Sequence, residues 1–165
     1  MEATTEKPRR RVRTTVQIAL VLGAFVGGLL GVIGASSLWF SFQPPPNALL
    51  TPDFDPRVHG LETLEGWPAL LGGICAMLWA AAIPIAKYRK RPARFSIITI
   101  GLIVAELGVA WSLESLRAPL MRIPPPFVRL HVGFSLALIG ALIVSVSAGL
   151  WLALDLLRKR QLATA

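Results

Sequence analysis

Apolar residues gather into four long runs along the chain, at residues 16–40, 67–86, 95–113 and 132–154. A transmembrane helix needs about 20 predominantly apolar residues to cross roughly 30 Å of hydrocarbon. In lipid, the polar groups of the backbone must be satisfied within the segment, and the alternation typical of strands is absent from these runs. The pattern therefore predicts an all-α, polytopic integral membrane protein whose four transmembrane helices form a compact bundle.

The segments between the runs complete the predicted organisation. A four-helix transmembrane domain covers residues 16–155, and basic tails precede and follow it at residues 1–15 and 156–165. The connections between helices one and two and between helices three and four are predicted as outer loops, at residues 41–66 and 114–131.

The distribution of charge predicts how the helices cross the membrane. The chain of 165 residues is 54% hydrophobic and 16% charged, with a formal net charge of +8. Thirteen of its 17 Lys and Arg residues fall in the two tails and in the loop between runs two and three. By the positive-inside rule these segments are cytoplasmic. We therefore expect a multi-pass protein of the inner (plasma) membrane with both termini in the cytoplasm, and Trp39, Trp67 and Trp111 at the outer interface.

The basic clusters also predict a lipid partner, because Lys and Arg beside a membrane attract anionic headgroups. Topology and lipid attraction account for these charges, so nucleic acid is not expected as a partner. The residues expected to contact headgroups are Arg10, Arg11, Arg89, Lys90, Arg91, Arg158, Lys159 and Arg160.

Small residues recur at helical spacing in all four runs. In the first run, Ala19, Gly23, Gly27, Gly31 and Ala35 are each four residues apart. Such stripes let helix backbones approach closely in a membrane. We favour neighbours within the same chain, with another chain as the alternative. The glycines expected in helix packing are Gly23, Gly27, Gly31, Gly101, Gly108, Gly133 and Gly140.

Glu106 is a single carboxylate near the middle of the third run. An ionised carboxylate is costly there, so we expect it to be protonated, paired or facing water. At about 100° per residue, Glu106 lies well away from the stripe of Gly101 and Gly108. If that stripe packs inward, Glu106 lies on a flank or towards lipid. Three roles remain open: a hydrogen bond to a neighbouring helix, ion handling, or contact with a partner subunit.

The two outer loops share two features. Each contains three consecutive prolines, Pro44-Pro45-Pro46 and Pro124-Pro125-Pro126, and each contains an Arg-x-His string, at Arg57-Val58-His59 and Arg129-Leu130-His131. Triple proline favours a stiff polyproline II segment. The loops are interpreted either as rigid connections or as a docking surface for an external partner. Chance explains the repeated string better than duplication of a two-helix hairpin, because the spacings differ.

Catalytic chemistry has little support in the sequence. Phosphate-binding, zinc-protease and nucleophile-elbow motifs are absent, so we expect a protein that is not an enzyme. His59 and His131 are candidate ligands for a haem or a pigment, although a solvated histidine is the favoured interpretation. No metal site is expected, since no second ligand at a suitable spacing accompanies either histidine. The sequence identifies no cofactor.

Three functions follow as hypotheses. The first is a non-catalytic accessory or scaffolding subunit of a larger inner-membrane complex, such as a respiratory or photosynthetic assembly. The second is a small oligomeric transporter coupled to protons or cations through Glu106. The third is a membrane subunit that binds haem or pigment through His131. The first is favoured because small-residue stripes occur in every helix and no catalytic constellation is present.

Overall fold

The computed structural model describes residues 6–44, 47, 55–88, 92–123 and 127–163. Four long helices and three short strands make up this part of the chain. In chain order the elements are α1 (Glu6–Ser36), β1 (Leu38–Phe42), β2 (Arg57–His59), a 3-10 turn (Gly60–Glu62), α2 (Gly66–Tyr88), α3 (Pro92–Leu120), β3 (Val128–Leu130) and α4 (Val132–Ala163).

The four helices are long and apolar enough to cross a membrane. The candidate spans are Thr15–Ser36, Gly66–Ile85, Phe95–Leu120 and Val132–Gln161. Each overlaps one of the four apolar runs, so the number of candidate transmembrane helices predicted from the sequence is confirmed.

Several helix ends differ from the prediction. α1 begins at Glu6 rather than at residue 16, and α4 ends at Ala163 rather than at residue 154, so both helices extend into the predicted tails. α1 ends at Ser36 rather than at residue 40, and the hydroxyl groups of Ser36 and Ser37 donate to the carbonyl oxygen of Ile33 at 3.1 and 2.6 Å. Such bonds compete with continuation of a helix, and the aromatic segment Leu38–Phe42 that follows favours a strand. α3 continues to Leu120, beyond the predicted end at residue 113.

α1 packs most extensively against α4 and then against α2, while α3 packs against α4 and less extensively against α2. Adjacent helices around the bundle are therefore α1, α2, α3 and α4 in that order. Glycines allow the closest approaches. A Cβ atom on Gly140 would lie 2.6 Å from the carbonyl oxygen of Gly27, and one on Gly73 would lie 2.5 Å from that of Gly28. Because backbone atoms cannot swing aside, side chains do not fit at either crossing.

A three-stranded antiparallel sheet lies at one end of the bundle, here called the sheet end. Its strand order is β2-β1-β3, so β1 is the central strand. The prediction from sequence contains no strands, and it is wrong in this region. The two Arg-x-His strings lie on either side of β1, where Ser41 stands directly opposite both Arg57 and Arg129. Pro45, Pro46 and residues 124–126 lie outside the described residues.

One face of the sheet covers the helices. Phe40 is opposite both Val58 and Leu130, and all three belong to the apolar cluster at the sheet end. Since opposed residues share a face of an antiparallel sheet, Ser41 and the two arginines occupy the other face. Arg57 and Arg129 are accordingly exposed.

Trp39 is fully buried beneath the sheet, with no exposed surface. Its indole N–H donates to the carbonyl oxygen of Gly34 at 2.7 Å, and its ring meets the ring of Phe134 edge-on at 5.3 Å. Trp39 is therefore a core residue rather than an exposed aromatic side chain, because the turn from α1 into β1 points it inward. Its depth in the membrane stays a prediction. Trp67 and Trp111 are exposed.

The buried apolar side chains form two clusters. The cluster at the sheet end comprises Ala35, Trp39, Phe40, Ala69, Val109, Ala110, Leu113, Phe134, Ala137 and Ala141. The cluster nearer the opposite end comprises Ala24, Ala76, Trp79, Ala80, Leu102, Val144 and Ala148.

Candidate functional site

Glu106 lies on the face of α3 that turns into the bundle, and its side chain is only 2% exposed. It shares this face with Leu102, Val109 and Leu113, which are also buried. The prediction that Glu106 lies on a flank or towards lipid is therefore wrong. That prediction assumed that the small residues of α3 pack inward, whereas α3 packs through its larger side chains.

The carboxyl group of Glu106 faces α2 at Gly72. A Cβ atom on Gly72 would lie 2.8 Å from Oε1 and 3.2 Å from Cδ of Glu106. The absence of a side chain at residue 72 therefore provides the space that the carboxyl group occupies. Oε1 is buried and has no hydrogen-bond partner in the part of the chain that the structure describes. The hydrogen bond to a neighbouring helix that the sequence suggested is not made by this atom.

Glu106 also lacks a compensating positive charge. Residues 16–36 of α1, 67–85 of α2 and 132–154 of α4 contain no Lys, Arg or His. An inward-facing side chain that is 2% exposed does not reach the surface of a partner subunit, so contact between Glu106 and a partner is also disfavoured. A buried carboxylate without a partner is expensive in hydrocarbon. Ion handling at Glu106 stays a prediction, and the buried Oε1 without a hydrogen-bond partner among the described residues is compatible with it.

Glu106 occupies a layer of small residues between the two apolar clusters and belongs to neither. Gly72 faces it from α2, and two close approaches of α1 to its neighbours, at Gly28–Gly73 and Gly27–Gly140, lie in the same part of the bundle. Aromatic and branched side chains lie on either side of this layer. The carboxyl group of Glu106 is therefore enclosed in a layer where helix backbones approach one another closely.

The small-residue stripe of α3 faces outward. Gly101 and Gly108 have nothing within 4 Å of where a Cβ atom would stand, among the described residues, and Ala105 between them is exposed. The prediction that these two glycines pack against helices of the same chain is wrong, because the opposite face of α3 makes those contacts. The alternative suggested by the sequence, a neighbour in another chain, stays a prediction.

The other predicted packing glycines lie at helix contacts. A Cβ atom on Gly27 would lie 2.9 Å from the carbonyl oxygen of Gly140, and one on Gly23 would lie 2.8 Å from Oγ of Ser147. Gly31 lies beside Gly73, and Gly133 lies against Ser37 and Leu38. The α1 stripe therefore packs against α4 and α2 within one chain.

No protein-family model, curated protein or solved structure matches this chain. Its function has to be inferred from its own residues.

The two histidines lie at the sheet end, on opposite sides of β1. The backbone N–H of His131 donates to the carbonyl oxygen of Trp39 at 2.8 Å, and its Nε2 lies 3.0 Å from Oγ of Ser41. The backbone N–H of His59 donates to Oε2 of Glu62 at 2.8 Å. The described residues contain no group of three or more His, Cys, Asp or Glu that is suited to a metal. The side chain of His131 thus contacts β1, whereas His59 contributes its backbone N–H. Binding of haem or pigment by either histidine stays a prediction.

A glycine follows each of the two Arg-x-His strings and lies near the corner between α1 and β1. Gly60 donates its backbone N–H to the carbonyl oxygen of Ser37 at 3.0 Å, and a Cβ atom on it would meet the Trp39 indole. A Cβ atom on Gly133 would meet Ser37 and the carbonyl oxygen of Leu38. Both glycines therefore allow the chain to pack closely against this corner.

The predicted headgroup contacts are described only in part. Lys159 forms an ion pair with Asp155, with 2.8 Å between Nζ and Oδ2, and its Nζ also donates to Oγ of Ser96 at 3.1 Å. Lys159 therefore links α4 to the start of α3 at the end opposite the sheet. Arg158 and Arg160 are exposed. The side chains of Arg10 and Arg11, and residues 89–91, lie outside the described part of the chain.

Proposed function

We propose that the chain is a non-catalytic accessory subunit of an inner-membrane complex, and that it binds a transmembrane helix of a partner protein along α3. The observation that carries this proposal is the outward position of Gly101, Ala105 and Gly108. Membrane helices use such stripes to approach one another, because dispersion and weak Cα–H contacts replace the hydrophobic effect there.

The contrast with α1 supports the proposal. Gly23, Gly27 and Gly31 are also small residues at helical spacing, and a neighbouring helix lies against each of them. The stripe on α3 offers an equally shallow surface, flanked by the exposed side chains of Val104 and Leu107. A helix of another protein could pack against this surface in the way that α2 and α4 pack against the glycine stripe of α1.

The sheet end supplies a second, smaller argument for an accessory role. Arg57 and Arg129 stand on the uncovered face of the sheet, on either side of Ser41. With both termini cytoplasmic, as the charge distribution predicts, this face looks out of the cell membrane on the far side. It presents a firm, positively charged surface to an external domain of the same partner.

Leucine at Gly101 or Gly108 is expected to lower recovery of the partner by about tenfold, which corresponds to ~1.4 kcal/mol of binding free energy. A large side chain keeps the two helix backbones apart. The measurement is affinity purification of the tagged protein from native membranes after cross-linking, with the co-purified proteins quantified by mass spectrometry.

Gly149→Leu is the matched control, because Gly149 is a helical glycine of α4 that also has nothing within 4 Å of a Cβ position. It should leave recovery of the partner unchanged. Equal loss with all three variants, or a cross-linked product that never forms in the unmodified protein, would refute docking on α3. Recovery of tagged and untagged copies of this chain alone would identify the partner as a second copy.

A further inference from the structure

The carboxyl group of Glu106 faces the inside of the bundle, so it takes no part in the proposed binding of a partner to the outer face of α3. Its Oε1 is buried without a hydrogen-bond partner among the described residues, and it faces the backbone of α2 at Gly72. A buried acceptor that lacks a donor is unfavourable, and an ionised carboxylate within hydrocarbon is more so. The site therefore requires an occupant that supplies a positive charge or a hydrogen-bond donor.

We propose that Glu106 and Gly72 form a proton-binding site inside the bundle, at which the carboxylate takes up one proton from water and releases it again. Uptake forms an O–H bond on the carboxylate and converts hydronium into water. It leaves a neutral acid that carries its own donor. The inference does not depend on the proposed function, because it concerns the opposite face of α3.

A proton fits the site better than a metal cation does. Ca²⁺ takes six to eight oxygen ligands, and Mg²⁺ demands near-ideal octahedral coordination. Around Glu106 the neighbouring side chains are apolar or absent, as at Leu102, Val109 and Gly72. The described residues contain no cluster of metal-ligating side chains. A single carboxyl group suffices for a proton, which needs no further ligands.

No other ionisable group faces Glu106 from the elements around it. Residues 67–85 of α2 carry only Cys75, which is exposed, and residues 132–154 of α4 carry none. Residues 16–36 of α1 contain no acidic or basic side chain. Glu106 is therefore the group that takes up and releases protons in this part of the bundle.

Exchange with water requires the bundle to open beside Glu106. α2 and α3 are packed less extensively than the other adjacent pairs of helices. Gly72 is half-buried, although the carboxyl group behind it is almost fully enclosed. The site thus lies just beneath the surface of the least tightly packed interface, and glycine leaves no side chain to block it.

The test is infrared spectroscopy of the purified protein in phosphatidylcholine vesicles, recorded as a function of pH in H₂O and in D₂O. The expected result is a component of the carboxylic-acid C=O band that weakens as pH rises, shifts in D₂O and is missing in Glu106→Gln. Glu114→Gln is the matched control, since Glu114 lies on the same helix but is exposed and paired with Arg117. That variant should keep the band.

Gly72→Ala tests the same site without removing the carboxyl group. The added Cβ atom would stand 2.8 Å from Oε1, so the frequency or the pH midpoint of the band should change. Gly149→Ala should change neither. If Glu106→Gln does not fold, the Gly72→Ala comparison decides the matter alone.

Three results would overturn the proposal. The first is the absence of any acid band that depends on Glu106 or responds to Gly72→Ala. The second is a band that is insensitive to both pH and D₂O, which would indicate a fixed structural acid. The third is loss of the band on addition of sodium chloride at constant pH, which would identify a metal cation as the occupant. None of these measurements involves a partner protein, so they are independent of the test of α3 docking.

Discussion

Replacing Trp39 with alanine should lower the free energy of unfolding by about 3–5 kcal/mol, the cost of removing a large buried aromatic side chain. Trp39 has no exposed surface, and it lies where α1, the sheet and α4 meet. The substitution removes the edge-on contact with Phe134 and the hydrogen bond to Gly34. It leaves a cavity that the rigid corner between α1 and β1 cannot collapse to fill.

The measurement is equilibrium unfolding in mixed detergent micelles, followed by circular dichroism. Trp111→Ala is the control, because Trp111 is 79% exposed and belongs to neither apolar cluster. Its loss should change the unfolding free energy by no more than about 0.5 kcal/mol. Trp39→Phe should fall between the two, since it keeps a ring but loses the N–H donor. Equal effects of the two alanine substitutions would show that Trp39 does not anchor the sheet end.

Gly140→Ala should destabilise the protein by about 1–3 kcal/mol, although alanine is ordinarily the better helix former. The new Cβ atom would lie 2.6 Å from both the carbonyl oxygen of Gly27 and the backbone nitrogen of Gly31. These are backbone atoms, so α1 and α4 must separate. This is the most extensively packed pair of helices in the bundle, and its separation removes contacts along the whole interface.

Gly149→Ala on the same helix is the matched control for this prediction. Nothing lies within 4 Å of its Cβ position, so the substitution should be neutral or slightly stabilising, in line with intrinsic helix propensity. Both variants are compared in the same micelles by the same unfolding titration. A stabilising effect at both positions would mean that α1 and α4 do not approach each other as closely as Gly27 and Gly140 indicate.

The four helices were predictable because each of them carries a long and nearly uncharged apolar run. The sheet was not, because β2 and β3 have only three residues each and their partner β1 is distant in sequence. Residues 38–40 are as apolar as the helix before them, so hydrophobicity alone extended α1 through them. The serines at residues 36 and 37 were a local signal for the end of the helix.

Glu106 was singled out from its charge, but its surroundings were not predicted. The position of Gly101 and Gly108 on the helical wheel correctly separated them from Glu106. The sequence did not show which face of α3 packs inward, because that depends on contacts with the neighbouring helices. Gly73, which forms the closest contact between α2 and α1, was also missed. The consecutive pair Gly72-Gly73 was the signal, since one glycine faces α1 and the other faces α3.

The sheet also sets how freely each helix can tilt. β1 follows α1 directly, the turn after β2 leads into α2, and only His131 separates β3 from α4. Short connections thus join three helices to the hydrogen-bonded sheet, and this fixes the spacing of those helices at the sheet end. α3 is joined to the sheet by the longer segment 121–127. The helix with the longest tether is the one that carries Glu106 on one side and the open glycine stripe on the other. α3 is therefore the helix whose tilt the sheet restrains least.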